Sequence, residues 1–338
     1  MITALVTGGL GLIGSFVARK LLEDNTVEKV VLLDHYGRYV SSTREGFVDY
    51  RSLRIKGIED RVIIERGEAK YFSVLYNVLH KYQPRYIYHL AALPLAKLQN
   101  LNTQEAVEGN VLSTSNMLEA IGMLRENTGY TLERFVFASS SMVYGDFQKV
   151  PADEEHPTNP KEIYGTMKLA GEQITRGLSV FYDIKSTIIR PSAVYGPTDM
   201  NRRVSQIFLE KALRHQKITI QGADESLDFT YVKDIAKGFV LASTQKAAIG
   251  ETFNITCGTA RTLLDLVLIL KKHFPGVEYE IIGRDEFRPK RGTLSIEKAK
   301  KLLGYEPDYD LEEGIAEYVE FVKNYNPYFS DVEPAPSP

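Results

Sequence analysis

The segment Thr7-Gly8-Gly9-Leu10-Gly11-Leu12-Ile13-Gly14 constrains the fold of this chain more than any other. Before it lies an apolar run, Ile2–Val6, that reads as a short buried strand; after it, Ile13 to about Leu22 reads as a helix. Glycines at 8, 11 and 14 permit a tight turn and close backbone approach, and they leave the amino end of the helix facing whatever sits against the turn. The turn is either a plain glycine-rich connection or a cradle for the pyrophosphate of a dinucleotide. The strand before it and the helix after it favour the cradle. Strand-like and helix-like segments then alternate. Val30–Asp34, Val62–Glu65, Tyr86–Ala91, Phe135–Ser139 and Lys185–Arg190 read as strands, with helical stretches near Tyr71–Lys81, Thr103–Glu126 and Ile163–Phe181. Such alternation demands right-handed crossovers and predicts an α/β fold with a doubly wound parallel sheet of Rossmann type. The strands are near-continuous apolar runs, as expected where helices cover both faces.

After Arg190-Pro191 the pattern loosens. Val204–His215 and Ile235–Ser243 read as helices, and Lys217–Gln221 and Glu278–Ile282 as short strands. The expected organisation is a dinucleotide-binding domain over residues 1–190, which 228–256 also rejoins. A smaller α/β substrate-binding region, 191–227 and 257–330, sits over the strand ends, and a flexible tail covers 331–338.

Composition narrows the functional classes. A net charge of -3 over 338 residues provides no global basic field to recruit nucleic acid or a membrane, so an anionic substrate has to be held by local arginines. No apolar run reaches the roughly 18 residues needed to span a bilayer, and the glycine turn begins by residue 8, leaving no room for a signal peptide. The single cysteine, Cys257, allows no internal disulfide and fits a reducing, cytoplasmic compartment. Within the strand-like Phe253–Gly258 it reads as a small buried hydrophobe rather than a nucleophile. The histidines are scattered without metal-ligand spacing, so no metal site is expected.

Asp34 ends the second strand, twenty residues after Gly14, where a carboxylate can accept both hydroxyls of an adenine ribose and repel a 2′-phosphate. The spacing favours that contact over a plain turn or cap, hence NAD over NADP, with Arg38 as the one nearby cation that argues the other way. Glu68, after the third strand, reads equally as a partner of the adenine amino group or as a solvated loop acid. Leu90, Ala91 and Ala92 close the fourth strand and are small enough for backbone to approach a cofactor, or simply to pack.

Tyr164 and Lys168 are four apart in a helical segment, which puts both polar groups on one side of the helix. A tyrosine with a pKa of about 10 is a poor base at neutral pH. A lysine ammonium within about 4–6 Å favours the phenolate, and a positive nicotinamide acts in the same direction. The tuned phenolate can then remove a hydroxyl proton while hydride leaves the same carbon. Ser140 follows the strand Phe135–Ala138, so its hydroxyl can sit at the strand's carboxy end and hydrogen-bond the reacting oxygen; otherwise three serines merely end a strand.

These pieces together resemble the extended short-chain dehydrogenases/reductases of the nucleotide-sugar epimerase and dehydratase type. The matching segments are TGGLGLIG, Asp34, HLAAL at 89–93, Asn110, SSSMVYGD at 139–146, YGTMK at 164–168, RPSAVYGP at 190–197 and DFTYVKDI at 228–235, covering the chain to about residue 310. The resemblance implies bound NAD, held by Gly8, Gly11, Leu12, Ile13, Gly14, Asp34, Glu68, Ala69, Leu90, Ala91, Ala92, Asn110, Tyr164, Lys168 and Pro191. It implies Ser140, Tyr164 and Lys168 as the catalytic set, with Ser139 the next candidate to Ser140, and a nucleotide-diphosphate sugar as substrate. Two residues that dehydratases and decarboxylases tend to make acidic are here Ser141 and Met142, which favours 4-epimerisation through a transient 4-keto sugar. A sugar-nucleotide dehydrogenase or dehydratase is the alternative, and a non-catalytic NAD-binding regulator a further one. Ala193 and Leu227 replace an asparagine and an arginine that the family often uses to hold substrate. Arg202, Arg203, Arg288 and Arg291 remain for the phosphates; Arg203 and Arg288 best match the family's positions, with Met142 beside the sugar. The apolar stripes of Thr103–Glu126 and Ile163–Phe181 imply, by the same resemblance, a homodimer.

Overall fold

The protein is represented by a computed structural model that describes residues 2–37, 48–93 and 103–326. Arg38 and the 331–338 tail lie outside the described residues. In the first half, β1 (Thr3–Thr7), α1 (Leu12–Glu23), β2 (Lys29–Asp34), α2 (Arg51–Ile55), β3 (Val62–Arg66), α3 (Phe72–Tyr82) and β4 (Tyr86–His89) follow one another. Then come α4 (Thr103–Val107), a π-helical turn at Glu108–Leu112, α5 (Ser113–Thr128), β5 (Arg134–Ala138), α6 (Ile163–Phe181) and β6 (Ser186–Pro191). The second half adds β7 (Val194–Tyr195), α7 (Val204–Leu213), β8 (Ile218–Gln221), β9 (Ser226–Leu227), β10 (Thr230–Tyr231), α8 (Val232–Thr244) and β11 (Thr252–Ile255). It closes with β12 (Arg261–Thr262), α9 (Leu263–His273), β13 (Tyr279–Ile282), α10 (Glu297–Leu303) and α11 (Leu311–Tyr325).

Seven parallel strands form one sheet in the order β11-β6-β5-β4-β1-β2-β3. Successive side chains of a strand leave on opposite faces, and here both faces are covered. Ala4 and Val6 of β1 pack with α1 and α8, whereas Leu5 between them packs with α3 and α5. That is why the strands read as unbroken apolar runs rather than alternating ones. Chain order reverses between β1 and β4, and a doubly wound sheet opens its ligand crevice at such a point, beyond the carboxy ends of the strands.

A second core gathers around Phe208, Leu213, Ile220, Tyr231, Leu266 and Ile315. Its small strands pair locally: β7 with β10, β8 with β13, and β9 with β12. The helix expected at Ile235–Ser243 is part of α8 and packs on the sheet against α1, and β11 completes the sheet's edge. Ala299, Leu303 and Tyr305 also join the sheet-side core.

Several local expectations shift. The single helix expected over Thr103–Glu126 is interrupted by the π turn and runs on to Thr128. Leu90, Ala91 and Ala92 lie past the end of β4 rather than in it. Cys257 stands two residues beyond β11 and is only partly buried, with Sγ 3.9 Å from the Tyr309 carbonyl. Burial pushes its thiol up to about 11, so it is no nucleophile near neutral pH.

Candidate active site

The carboxy ends of β1, β2, β4, β5 and β6 open into one cavity of about 1470 Å³, which the second core roofs with α7, β8 and the 288–291 strap. At one end lies the glycine turn. Gly8 has φ +66°, and a side chain there would press within 3.1–3.3 Å of the Leu90–Ala91 backbone. A Cβ on Gly14 would stand 2.4 Å from the Gly8 carbonyl oxygen, so α1 can start this close to the turn only with glycine. Gly11 caps α1 without any side-chain hydrogen bond and no acid occupies its first turn. By contrast, Thr262 with Asp265 and Asp310 with Glu313 cap α9 and α11 with reciprocal side-chain bonds. The amide donors at Leu12 and Ile13 therefore face the cavity as an anion site, and the cradle has the shape a dinucleotide pyrophosphate fits.

Asp34 holds the turn and still faces the cavity. One carboxylate oxygen accepts the Leu10 N–H at 3.0 Å and the other the Tyr36 N–H at 2.8 Å, which holds the turn. A carboxylate has about four acceptor sites, so the side chain, on the cavity wall, keeps capacity for ribose hydroxyls. Glu68 is neither free nor simply solvated: Lys70 Nζ lies 3.1 Å from it and 3.0 Å from Glu108. Ala69, Leu90, Ala91, Ala92 and Pro191 line the same cavity. Asn110 does not. It is buried in the π turn, its Nδ2 donating to the Ala106 carbonyl, while Gly109 and Ser113 form the wall beside it.

At the middle of the cavity Ser140, Tyr164 and Lys168 converge. Ser140 caps the short helical turn at Ser141–Tyr144, its Oγ accepting the Met142 N–H at 3.2 Å. Gly165 lets α6 start against that turn, because a Cβ there would sit 2.5 Å from the Met142 carbonyl oxygen. Lys168 is buried, with Nζ 2.7 Å from the Ala138 carbonyl and 5.9 Å from the Tyr164 ring centre. Burial adds an opposing influence to the expected tuning of the phenolate by the ammonium and the nicotinamide. Burial raises the Tyr164 hydroxyl above its ordinary value, and the groups opposing this are Arg203 and Ser140. Lys168 is itself pushed down to about 7 by burial, with Glu172 pulling it back up. A base at Tyr164 therefore depends on what is added to the site, not on the lysine alone. Ser139, the alternative to Ser140, is committed elsewhere: its Oγ donates to Glu172 at 2.5 Å.

The far end is cationic. Arg203 lies on the wall, its Nη1 3.4 Å from both carboxylate oxygens of the buried Asp199. Arg288 is half-exposed, 3.3 Å from Asp285, and Arg202 sits beside Arg203. Arg291 is the more informative member. It lines the cavity, burial pushes its guanidinium down to about 10, and its buried Nε has no hydrogen-bond partner among the described residues. A buried guanidinium nitrogen without a protein partner among the described residues leaves a donor that a phosphate oxygen or a water can take up. Leu227 and Ala193 line this end as apolar surface. Arg54, which carried no signal in the sequence, spans the two halves by donating to the Leu10 carbonyl and to both the side chain and carbonyl of Thr198. Burial pushes its guanidinium down to about 10.

Among the described residues no helix is long and apolar enough to cross a membrane. A family model described as the NAD dependent epimerase/dehydratase family matches residues 4–256. The putative UDP-glucose 4-epimerase of Methanocaldococcus jannaschii is 32% identical, over 95% of this chain and 99% of its own. Among solved structures, the UDP-glucuronic acid 4-epimerase of Bacillus cereus, in complex with UDP-glucuronic acid and NAD, superposes with a TM-score of 0.84 at 27% identity, covering 96% of this chain and 99% of that one. The UDP-glucose 4-epimerase of Thermotoga maritima, with UDP-glucose, gives 0.82 at 26% identity over 96% and 99%.

Proposed function

The chain belongs to the NAD dependent epimerase/dehydratase family, and on that premise we propose that it is an NAD-dependent 4-epimerase of a nucleotide-diphosphate sugar. The observation that carries this reading is the convergence of Ser140, Tyr164 and Lys168 on the wall of one cavity, between a dinucleotide cradle and an arginine cluster. The glycine turn and the uncapped start of α1 hold the cofactor's pyrophosphate, and Asp34 its adenine ribose. Arg203, Arg288 and Arg291 hold the substrate diphosphate, taking over the charge absent at Leu227. Residues 191–227 with 257–330 serve as the substrate-binding region and 1–190 with 228–256 as the cofactor-binding one.

Bound NAD would supply the acceptor, and later the donor, of a hydride at the sugar carbon. Tyr164 Oη removes the hydroxyl proton as that carbon becomes a ketone, and returns it after the sugar presents its other face. Ser140 Oγ donates a hydrogen bond to the reacting oxygen as charge develops on it. Lys168, in its ammonium form, favours the phenolate of Tyr164. Elimination of water would need an acid beside the sugar, and Ser141 and Met142 supply none.

The test is a panel of uridine-, guanosine-, thymidine- and cytidine-diphosphate sugars, followed by product mass and NADH absorbance together. A product isobaric with its substrate and no lasting NADH is the expected result. Loss of water, or stoichiometric NADH, would place the protein among the dehydratases or dehydrogenases. Tyr164→Phe is expected to abolish turnover while retaining NAD; undiminished turnover removes Tyr164 as the base.

A further inference from the structure

Glu172 lies one helical turn beyond Lys168 and two beyond Tyr164 on the same face of α6, and it is fully buried. Its carboxylate accepts Arg190 Nε at 2.8 Å and Nη2 at 2.7 Å, and the Ser139 hydroxyl at 2.5 Å, with Arg176 at 3.4 Å. Arg190 reaches on to the Tyr144 hydroxyl at 3.0 Å and the Glu154 carbonyl at 3.2 Å. Tyr144 in turn donates to Asn254 of β11 at 2.7 Å. One buried network thus joins the ends of β5, β6 and β11 to the middle of α6. Its centre is a carboxylate that the proton and hydride steps leave unused.

The network ends on the reacting groups. Ser139 precedes Ser140, and Ala138, which precedes Ser139, supplies the carbonyl that holds Lys168 Nζ at 2.7 Å. We propose that Glu172 is a positioning residue for the reaction: through Ser139 it fixes the end of β5 that carries Ser140 and the lysine's acceptor, and its carboxylate, one turn along α6, favours the ammonium form of Lys168.

The surroundings of Lys168 leave that charge to Glu172. From β4 it meets His89, which burial pushes down to about 3 and so holds neutral. From β5 it meets the Phe137 ring, 5.3 Å from Nζ, and the Ala138 carbonyl; from α6, Tyr164 and Glu172. Arg190 of β6 and Arg176 of α6 approach through Glu172. Of these groups only the Glu172 carboxylate brings negative charge. The Cβ atoms of residues four apart on a helix stand roughly 5–6 Å apart. At an effective dielectric near 20, a full charge at about that separation is worth at most about two pH units, roughly a hundredfold in the ratio of ammonium to amine, and Arg190 on the same carboxylate offsets part of it.

This inference rests on the reading of Lys168 as the partner of the base, so its charge role is tested without a substrate and its positioning role with one. Lys168 is titrated by ¹³Cε–¹⁵Nζ NMR in the full chain loaded with NAD, its signal assigned by its absence in Lys168→Arg. In Glu172→Gln the midpoint is expected to fall by one to two units. A folded, NAD-retaining variant with the wild-type midpoint overturns the charge role. Because Glu172→Gln leaves Arg190 buried without its carboxylate, Glu172→Gln/Arg190→Gln is measured beside it; its fall is expected to be smaller, since the arginine's positive charge leaves with the carboxylate's negative one, and an unchanged midpoint in the folded single variant remains the overturning result. Ser139→Ala keeps every charge and exchanges one small side chain for another, and it carries the test where the glutamine variants do not fold. It is expected to leave the lysine midpoint in place and to lower kcat about tenfold with KM unchanged, on whichever nucleotide sugar the panel identifies. Wild-type kcat in Ser139→Ala overturns the positioning role. An enzyme that turns over none of those sugars refutes the epimerase reading and still leaves the lysine titration readable.

Discussion

Gly14→Ala tests the cofactor cradle at its tightest point. The added Cβ would stand 2.4 Å from the Gly8 carbonyl oxygen, 3.0 Å from Gly9 Cα and 3.1 Å from the Gly8 carbonyl carbon. Carbon–oxygen contacts of this kind settle at about 3.3 Å or more, so the start of α1 and the turn must separate by close to an ångström. Every atom met is backbone, and no side chain can rotate away. The Gly8 carbonyl also accepts the Gly11 N–H at 2.9 Å, so movement there breaks the turn's own hydrogen bond. Overpacking together with one lost hydrogen bond costs roughly 2–4 kcal/mol of stability without cofactor. The second consequence is larger in effect. In wild type, NAD at about 100 times its Kd adds about 2.7 kcal/mol through linkage. In Gly14→Ala the displaced helix end no longer presents its amides to the pyrophosphate, so that increment should vanish. Urea denaturation with and without NAD reads both quantities. Gly177→Ala is the internal control: it sits inside α6 with no atom within 4 Å of a built Cβ, and should gain about 0.5–1 kcal/mol. A Gly14→Ala protein as stable as wild type, with its NAD increment intact, would refute the argument.

Arg291→Ala should raise KM for the nucleotide sugar about 10–100-fold, the worth of a charge-assisted hydrogen bond, with kcat and bound NAD little changed; an unchanged KM would remove Arg291 from the phosphate site. Asp228 is buried, accepts Leu294 N–H, Gly258 N–H and the Thr256 hydroxyl, and burial pushes it up from 3.8 to about 7. The folded state therefore binds the extra proton between these values, and this contribution to stability is present below the unfolded pKa and lost as pH rises through about 7. Asp228→Asn exchanges acceptors for a donor, a loss that does not vary with pH, but it should be less damaging at pH 8 than at pH 5 by about 2–3 kcal/mol. Denaturation curves giving the same difference at both pH values would contradict this. The exposed Val107, Leu112, Met123, Val180 and Phe181 lie on α4 to α6, and we expect these helices to pair across a twofold axis. Sedimentation should give a dimer at micromolar concentration, and a monomer throughout would count against it.

Features carried by local chemistry were legible in the chain. The glycine turn, the apolar strands and the Tyr164–Lys168 spacing depend on residues within a turn or two of one another, and each lies close to where the sequence puts it. The doubly wound parallel class was legible from the alternation and its right-handed crossovers, whereas the order β11-β6-β5-β4-β1-β2-β3 came only from the fold. Tertiary structure alone settled the site's electrostatics. Glu172 meets Ser139 across 33 residues, Tyr144 meets Asn254 across 110, and Arg54 meets Thr198 across 144. No periodicity reports such pairs. The depression of Lys168 to about 7 and the upward push on Tyr164 arise from how much water the finished cavity excludes. Asn110 matches the family's motif yet is buried within the π turn, its Nδ2 on the Ala106 carbonyl, which its sequence position did not reveal. Sequence determined which groups could do chemistry, since residue type and short spacing are local properties. Burial and long-range partners decided in what charge state they are held, since desolvation belongs to the folded whole.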